Sequence, residues 1–164
     1  MRFSTLTTAT LASVSLASAR IIGFSAPSTL APNSTFTFNL TTENYIQRVA
    51  DVAVSWGYTL PTETNPTGYK YSLGSFAESA YLGPDRSNII TGVVVNATVP
   101  VGLNSSSYFG KDVVLSVAVT SLYGASGGPV TQGWNVTVRI GAEDGGEWVD
   151  SGREGGWIEN GSCQ

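Results

Sequence analysis

Thr120-Ser-Leu-Tyr-Gly-Ala-Ser-Gly-Gly-Pro-Val130 decides the fold of this chain, because it connects two segments that each have the sequence pattern of a β-strand. Residues 112–122 before it are apolar and rich in β-branched side chains. Residues 131–140 after it alternate, with one face formed by Trp134, Val136, Val138 and Ile140. Two runs of period two, joined by a short Gly/Ser/Pro segment, predict a β-hairpin. Its three loop glycines permit positive φ, and Pro129 cannot donate to a sheet ladder.

The same alternation predicts further strands along the chain, each bounded by residues typical of turns. They are Arg20–Ala26, Thr35–Thr42, Val49–Leu60, a short edge strand at Lys70–Phe76, and Asn88–Val99. In the third of these, one apolar face comprises Val52, Val54, Trp56, Tyr58 and Leu60. Hardly any stretch has helical periodicity. We therefore expect an all-β fold, an immunoglobulin-like or fibronectin-like β-sandwich of about seven strands.

The N-terminus has the pattern of a secretory signal peptide, predicted over residues 1–19. One positive charge precedes a moderately apolar run, and Ala17-Ser-Ala19 has the small-x-small pattern of a cleavage site. The mature chain would begin at Arg20 and be secreted, with no later segment long and apolar enough to span a membrane. It is long enough for one domain with a substantial core, and we expect a monomer. Cys163, the single cysteine, is either a free thiol or an intermolecular link.

The composition changes near residue 142, which divides a β-sandwich domain at 20–142 from a tail at 143–164. The domain has equal numbers of acidic and basic residues, whereas the tail has six carboxylates against Arg153. Dense glycine and the lack of a periodic pattern predict a disordered acidic tail. Its two tryptophans, Trp148 and Trp157, allow two interpretations. They belong to short linear motifs for a basic partner, or they fold back and dock on the sandwich as an added edge.

Asparagine-linked glycosylation is predicted at six Asn-x-Ser/Thr sequons. Three of them lie in predicted strands. There the alternation of side chains places the asparagine on the face opposite the apolar residues. Glycans on that face are compatible with sheets packed on one side only. The six are Asn33, Asn39, Asn96, Asn104, Asn135 and Asn160.

The composition argues against an enzyme. The chain has no histidine, which excludes serine–histidine and cysteine–histidine catalytic units and imidazole ligands of zinc. A glycosidase needs only two carboxylates, but we expect the acidic residues of the domain to be solvated or turn-forming. The candidates beyond loop and tail positions are Asp51, Glu78, Asp85 and Asp112. We expect no cofactor and no metal, and the net charge of −4 argues against nucleic acid as a partner.

Four short motifs, in order, resemble those of the necrosis-inducing secreted protein family of fungal effectors. They are Asn44-Tyr-Ile-Gln47, Tyr81-Leu-Gly-Pro-Asp-Arg-Ser-Asn88, Tyr123-Gly-Ala-Ser126 followed by Gly-Pro-Val, and Trp134-Asn-Val-Thr-Val138. The resemblance covers roughly residues 20 to 140. This chain departs from the family pattern in the length of its 61–80 loop and in its tail.

The resemblance implies a secreted effector that binds plant immune receptor-like kinases, including the shared co-receptor kinase and receptor-like cytoplasmic kinases. Suppression of pattern-triggered immunity would follow, with host cell death at high dose, and the site of action would be the host apoplast or the host cell. The partner-binding residues that it implies are Tyr45, Tyr81, Asp85, Arg86, Tyr123, Gly124, Ala125 and Ser126. Tyr123 has a competing interpretation, in which it packs under the loop and holds the hairpin.

A carbohydrate- or cell-wall-binding module is the alternative function. A sandwich can present aromatic rings to sugars, and the candidates are Trp56, Tyr58, Tyr69 and Tyr71. Alternation places Trp56 and Tyr58 in the core row, which weakens this alternative.

Overall fold

The computed structural model describes residues 18–153 and 157–159, which form nine β-strands. The strands are β1 (Ser18–Leu30), β2 (Thr35–Tyr45), β3 (Val49–Thr59), β4 (Ser75–Tyr81), β5 (Val93–Thr98), β6 (Asp112–Tyr123), β7 (Gly128–Ile140), β8 (Gly145–Asp150) and β9 (Trp157–Glu159). Short 3₁₀ turns lie at Pro84–Arg86 and Val101–Asn104. Among the described residues, no helix has the length and apolar character needed to cross a bilayer.

The strands hydrogen-bond in the order β4-β3-β6-β7-β1-β2-β5, forming one sheet that curls until its two halves face each other. Phe38 of β2 meets Trp56 of β3 edge-on across the interior, with ring centroids 5.5 Å apart. Both side chains belong to the same buried apolar cluster. The prediction of an all-β sandwich is confirmed, with layers β4-β3-β6-β7 and β1-β2-β5.

The β6–β7 hairpin has an unbroken register from Asp112 opposite Arg139 to Tyr123 opposite Gly128. The apolar row predicted for β7 is buried, from Trp134 to Ile140. Strand β6 is buried on both faces, because residues of the 60–74 loop cover part of its outer side: Gly68 lies against Val114. This hairpin is therefore the centre of one layer.

Strand β1 belongs to both layers, and here the prediction that Pro27 ends the strand is wrong. Residues 18–25 pair with β2, whereas Thr29 and Leu30 pair in parallel with β7. Pro27 lies between these two segments, where the strand changes partner. Pro27 itself lies opposite Trp148 of β8, next to an irregularity of that ladder between Pro27 and Thr29. A residue without an N–H is tolerated at such an irregular position.

Two other strand boundaries differ from the prediction because left-handed residues interrupt the extended backbone. The edge strand β4 begins at Ser75, since Tyr71 has φ 61° and Gly74 has φ 84° in the segment predicted as strand. Strand β5 begins at Val93, since Asn88 has φ 57° and Gly92 has φ 83°. Residues of positive φ depart from the extended backbone of a strand, although Phe76 is part of β4 with φ 54°.

Strand β3 contains a β-bulge that reverses the predicted orientation of two side chains. The register to β6 shifts between Asp51 and Ala53, so that Val52 faces outward and Asp51 faces inward. Asp51 is only 4% exposed. The predictions that Val52 joins the core row and that Asp51 is solvated are both wrong, because a bulge inserts one residue and changes the phase of the strand.

The C-terminal tail adds two strands to the sandwich. Strand β8 pairs with β1 over residues 145–150, and β9 pairs with β7 over residues 157–159. The prediction of disorder is corrected for these two segments, and the alternative of an added edge describes them. Residues 154–156 and 160–164, with Asn160 and Cys163, lie outside the described part of the chain, as do residues 1–17 of the predicted signal peptide.

Candidate partner-binding end

Three of the four motifs meet at one end of the sandwich, because antiparallel pairing brings the loops between their strands together. We call this surface the motif end and define it as residues 44–48, 81–88 and 123–129. The N–H of Gly124 donates to the carbonyl of Arg48 at 2.8 Å, which joins the first and third segments. The N–H of Gly83 donates to the carbonyl of Asp51 at 3.0 Å, which fixes the second segment to β3.

The aromatic pair Tyr45 and Tyr123 supports the motif end from below. Their rings meet edge-on with centroids 5.8 Å apart, and the Arg20 guanidinium carbon lies 4.8 Å from the centroid of Tyr45. The Tyr123 hydroxyl donates to Gln132 Oε1 at 3.0 Å. Burial, reinforced by the charge of Asp51, raises the pKa of Tyr123 to about 12. These contacts favour the interpretation in which Tyr123 holds the hairpin.

Asp51 is the buried polar centre of this end. Its Oδ1 accepts a hydrogen bond of 2.6 Å from the Ser121 hydroxyl, and its backbone N–H donates to Ser87 Oγ at 2.7 Å. Burial raises the pKa of the Asp51 carboxyl, and the Ser121 hydrogen bond opposes that rise. Ser87 also donates to the carbonyl of Gly83 at 2.9 Å. Asp51 therefore ties the second motif to the hairpin strand β6.

The hairpin loop itself is presented to solvent. Ala125 and Ser126 are exposed, and Gly124 and Gly127 on either side of them have φ near +65°. That conformation favours glycine and turns the loop sharply over the end of the sheet. Ala125 and Ser126 are thus positioned for contact with a partner, whereas Tyr123 lies half-buried behind them.

The second motif is also exposed, and it has a large ring at its start. Tyr81 is 70% exposed, and Asp85 and Arg86 are exposed in the 3₁₀ turn. The structure therefore places five of the residues implied as partner-binding directly on the surface, namely Tyr81, Asp85, Arg86, Ala125 and Ser126. Tyr45, Tyr123 and Gly124 lie behind them as supports.

Sequence reasoning missed three apolar residues at this end. Ile46, within the first motif, is 95% exposed in the turn between β2 and β3. Val52 and Leu122 are partly exposed on the outer face of β3 and β6, and Leu122 pairs with Ala50. The central position of Ile46 in a tight turn was an available signal. The β-bulge that exposes Val52 has no recognisable signal in the sequence.

Comparison with known proteins identifies the family of this chain. The model of the Nis1 family matches residues 17–139. The chain belongs to the Nis1 family. Necrosis-inducing secreted protein 1 of Colletotrichum higginsianum is 36% identical over 141 residues, covering 86% of this chain and 92% of that protein. Its namesake from Colletotrichum orbiculare is 36% identical over 151 residues, covering 92% of this chain and 88% of that protein. This Nis1-family member is a secreted fungal effector of the necrosis-inducing class.

The five sequons within the described residues lie outside the motif end of this Nis1-family protein. Asn39 and Asn96 are on the outer face of the β1-β2-β5 layer, as their phase predicted, and Asn33 and Asn104 lie in loops at the opposite end. Asn135 is different, because its Nδ2 donates to the carbonyl of Thr67 at 2.8 Å under the 60–74 loop. This enclosed amide argues against a glycan on Asn135, and glycosylation of the other five sites stays a prediction.

Proposed function

We propose that the motif end binds the kinase domain of plant immune receptor-like kinases, including the co-receptor kinase and receptor-like cytoplasmic kinases. Binding inhibits their signalling, suppresses pattern-triggered immunity and leads to host cell death at high dose. The observation that carries the proposal is the convergence of three separate family motifs on one end, where Ile46 and Tyr81 are exposed without being needed by the core. Exposed loops held by a rigid sandwich commonly carry recognition.

The chemistry of this end suits a protein partner. Large exposed side chains (Ile46, Tyr81) stand beside a charged pair of residues (Asp85, Arg86) and a small polar loop. Apolar and aromatic anchors with a polar rim are typical of protein–protein interfaces. We propose that the protein acts by binding and not by catalysis, in keeping with a sequence that has no histidine.

The carbohydrate-module alternative loses two of its four rings. Trp56 and Tyr58 are buried in the core, at 3% and 0% exposure, and are unavailable to a ligand. Only Tyr69 and Tyr71 remain exposed among the four candidates, and we do not propose carbohydrate binding as the main function.

The test is binding of the purified, secreted protein to recombinant kinase domains by surface plasmon resonance. Ile46→Ala and Tyr81→Ala should each weaken binding about tenfold or more, since truncating an interface anchor commonly costs upward of 1 kcal/mol. Val101→Ala is the matched control, because Val101 is 70% exposed at the opposite end and should leave binding unchanged. Equal binding by all three variants, each folded by circular dichroism, would exclude the motif end as the interface.

A further inference from the structure

A groove outside the motif end combines positive charge with aromatic rings. It has a volume of about 500 Å³ and lies between β7, the N-terminal part of β1, the loop containing Tyr71, and β9. Arg20, Lys70 and Arg153 line it, and none of the described residues that line it is acidic. In a chain of net charge −4, three cations gathered at one groove favour an anionic ligand.

The charges in this groove are not equally available. Glu43 accepts from Arg20 at 2.7 Å and from Arg153, so one carboxylate holds both guanidinium groups. Among the described residues Lys70 forms no ion pair, and its side chain is exposed. The groove therefore offers one unpaired ammonium group and one further net positive charge shared by the arginine–glutamate trio. These charges suit a ligand with singly charged carboxylates better than one with a doubly charged phosphate. A phosphate is bound best by an arginine whose guanidinium group is free to donate two parallel hydrogen bonds.

The aromatic wall of the groove includes a tyrosine whose backbone is strained. Tyr71 has φ 61°, a left-handed conformation that is costly for a bulky residue. Its ring packs on Trp157 with centroids 5.3 Å apart, yet Tyr71 remains 61% exposed. Strained backbone that presents a ring beside a groove is characteristic of ligand clamps. Packing alone does not account for it, since most of the ring is open to solvent.

We propose that this groove binds an acidic oligosaccharide, in which Tyr71 stacks on a sugar ring and Lys70 pairs with its uronic acid carboxylate. A flat apolar ring face, an unpaired ammonium group and the Gln132 side chain together match a carboxylated pyranose. The groove adjoins the motif end, since Arg20 and Gln132 contact Tyr45 and Tyr123. Lys70 and Tyr71, the two residues proposed to contact the sugar, do not belong to the motif end. The groove therefore adds a second ligand class to the protein.

The test is isothermal titration of the full secreted protein with linear oligogalacturonate, with the fully methyl-esterified oligomer as a neutral control. Oligogalacturonate should bind, the methyl ester should not, and binding should weaken as ionic strength rises from about 0.05 to about 0.5 M, since added salt screens the pairing. Lys70→Gln and Tyr71→Ala should each raise Kd about tenfold or more.

Matched controls separate this site from non-specific attraction. Lys111→Gln and Tyr69→Ala alter exposed residues of the same types that do not line the groove, and they should leave Kd unchanged. Kinase binding should also be unchanged in Lys70→Gln, so that a failure here is distinguishable from a failure of the proposed function. No oligogalacturonate binding, equal losses in the control variants, or tighter binding of a phosphotyrosine peptide that depends on Lys70 would each overturn the proposal.

Discussion

Single residues at the motif end divide into those that support the surface and those that form it. Tyr123 packs edge-on against Tyr45 and donates a hydrogen bond to Gln132, whereas Ser126, three residues later, is exposed at the tip of the loop. The two residues share one motif, yet they have opposite environments. Substitutions that treat the motif as a unit would mix a stability effect with a binding effect, so they are best tested one at a time.

Tyr123→Ala should destabilise the protein by about 2 kcal/mol, because it removes an edge-on aromatic contact and a hydrogen bond. Tyr123→Phe should cost about 1 kcal/mol, the loss of the hydrogen bond alone. Ser126→Ala should change stability by less than about 0.5 kcal/mol, since its side chain is exposed. Urea unfolding measures the stability of all three variants. A Tyr123→Ala variant as stable as the wild type would contradict the supporting role and favour direct contact of Tyr123 with a partner.

Asp51→Asn should flatten the pH dependence of stability. The raised pKa of Asp51 means that the folded state retains a proton that the unfolded state has released, so the wild-type protein loses stability as the pH rises above about 4. The loss ends once the pH passes the folded-state pKa, and one proton contributes at most about 1.4 kcal/mol per pH unit. The asparagine variant lacks this titration, while its amide oxygen still accepts from Ser121.

Asp112→Asn is the control for that experiment, because Asp112 lies in an exposed ion pair with Arg139. Its variant should still lose stability as the pH rises, because Asp51 is unchanged in it. Unfolding free energies measured between pH 4 and pH 7 give the comparison, and superimposable curves for wild type and Asp51→Asn would show that Asp51 is not the group that titrates.

At the scale of elements, the hairpin strand β7 supports two neighbours that are distant in sequence. Its residues 139–140 pair with the end of β1, and its residues 131–133 pair with β9. Gly133 faces the ring of Trp157 so closely that an added Cβ would lie about 2.5 Å from it. The docking of β9 therefore depends on the absence of a side chain at this position.

Gly133→Ala should release β9 while the β6–β7 hairpin stays intact, since the clash involves the Trp157 ring and not the hairpin backbone. Hydrogen–deuterium exchange should become faster in peptides covering residues 157–159 and stay slow in residues 112–122. Gly128→Ala is the matched control in the same strand, because a Cβ there meets only Tyr123 carbonyl oxygen at an ordinary 3.8 Å. Unchanged exchange in β9 of the Gly133→Ala variant would mean that β9 tolerates the clash by shifting.

At the scale of the whole molecule, the family motifs lie on a different surface from the four described sequons that are not in β7. Asn39 and Asn96 lie on the outer face of one layer, Asn33 and Asn104 at the end opposite the motifs. Glycans at these four positions would leave the motif end and the charged groove accessible.

Glycopeptide mapping of the secreted protein should find glycans at Asn39 and Asn96 and none at Asn135. The amide of Asn135 donates to Thr67, and its Oδ1 is enclosed, so a sugar on Nδ2 would displace the covering loop. Asn39→Gln and Asn96→Gln should each lower the intact mass by one glycan, whereas Asn135→Gln should not. A glycan on Asn135 in folded protein would show that the 60–74 loop does not cover this strand.

The sequence alone determined the strands whose side chains alternate and the hairpin that unites them. Trp134 to Ile140 form a buried row because period two is a local property of an extended chain, and a residue's face follows from its neighbours. The family motifs likewise pointed to segments that the structure brings together at one end. Ala125, Ser126 and Tyr81 are exposed as recognition residues should be.

Tertiary structure alone decided which polar groups are enclosed and where the tail lies. A bulge turned Asp51 inward, the 60–74 loop covered Asn135, and β9 met Gly133 across more than twenty residues of sequence. Each outcome depends on pairing between distant segments, where a shift of one residue changes the face of every side chain beyond it. No local pattern records such a shift, because its energy lies in contacts that exist only after the strands have met.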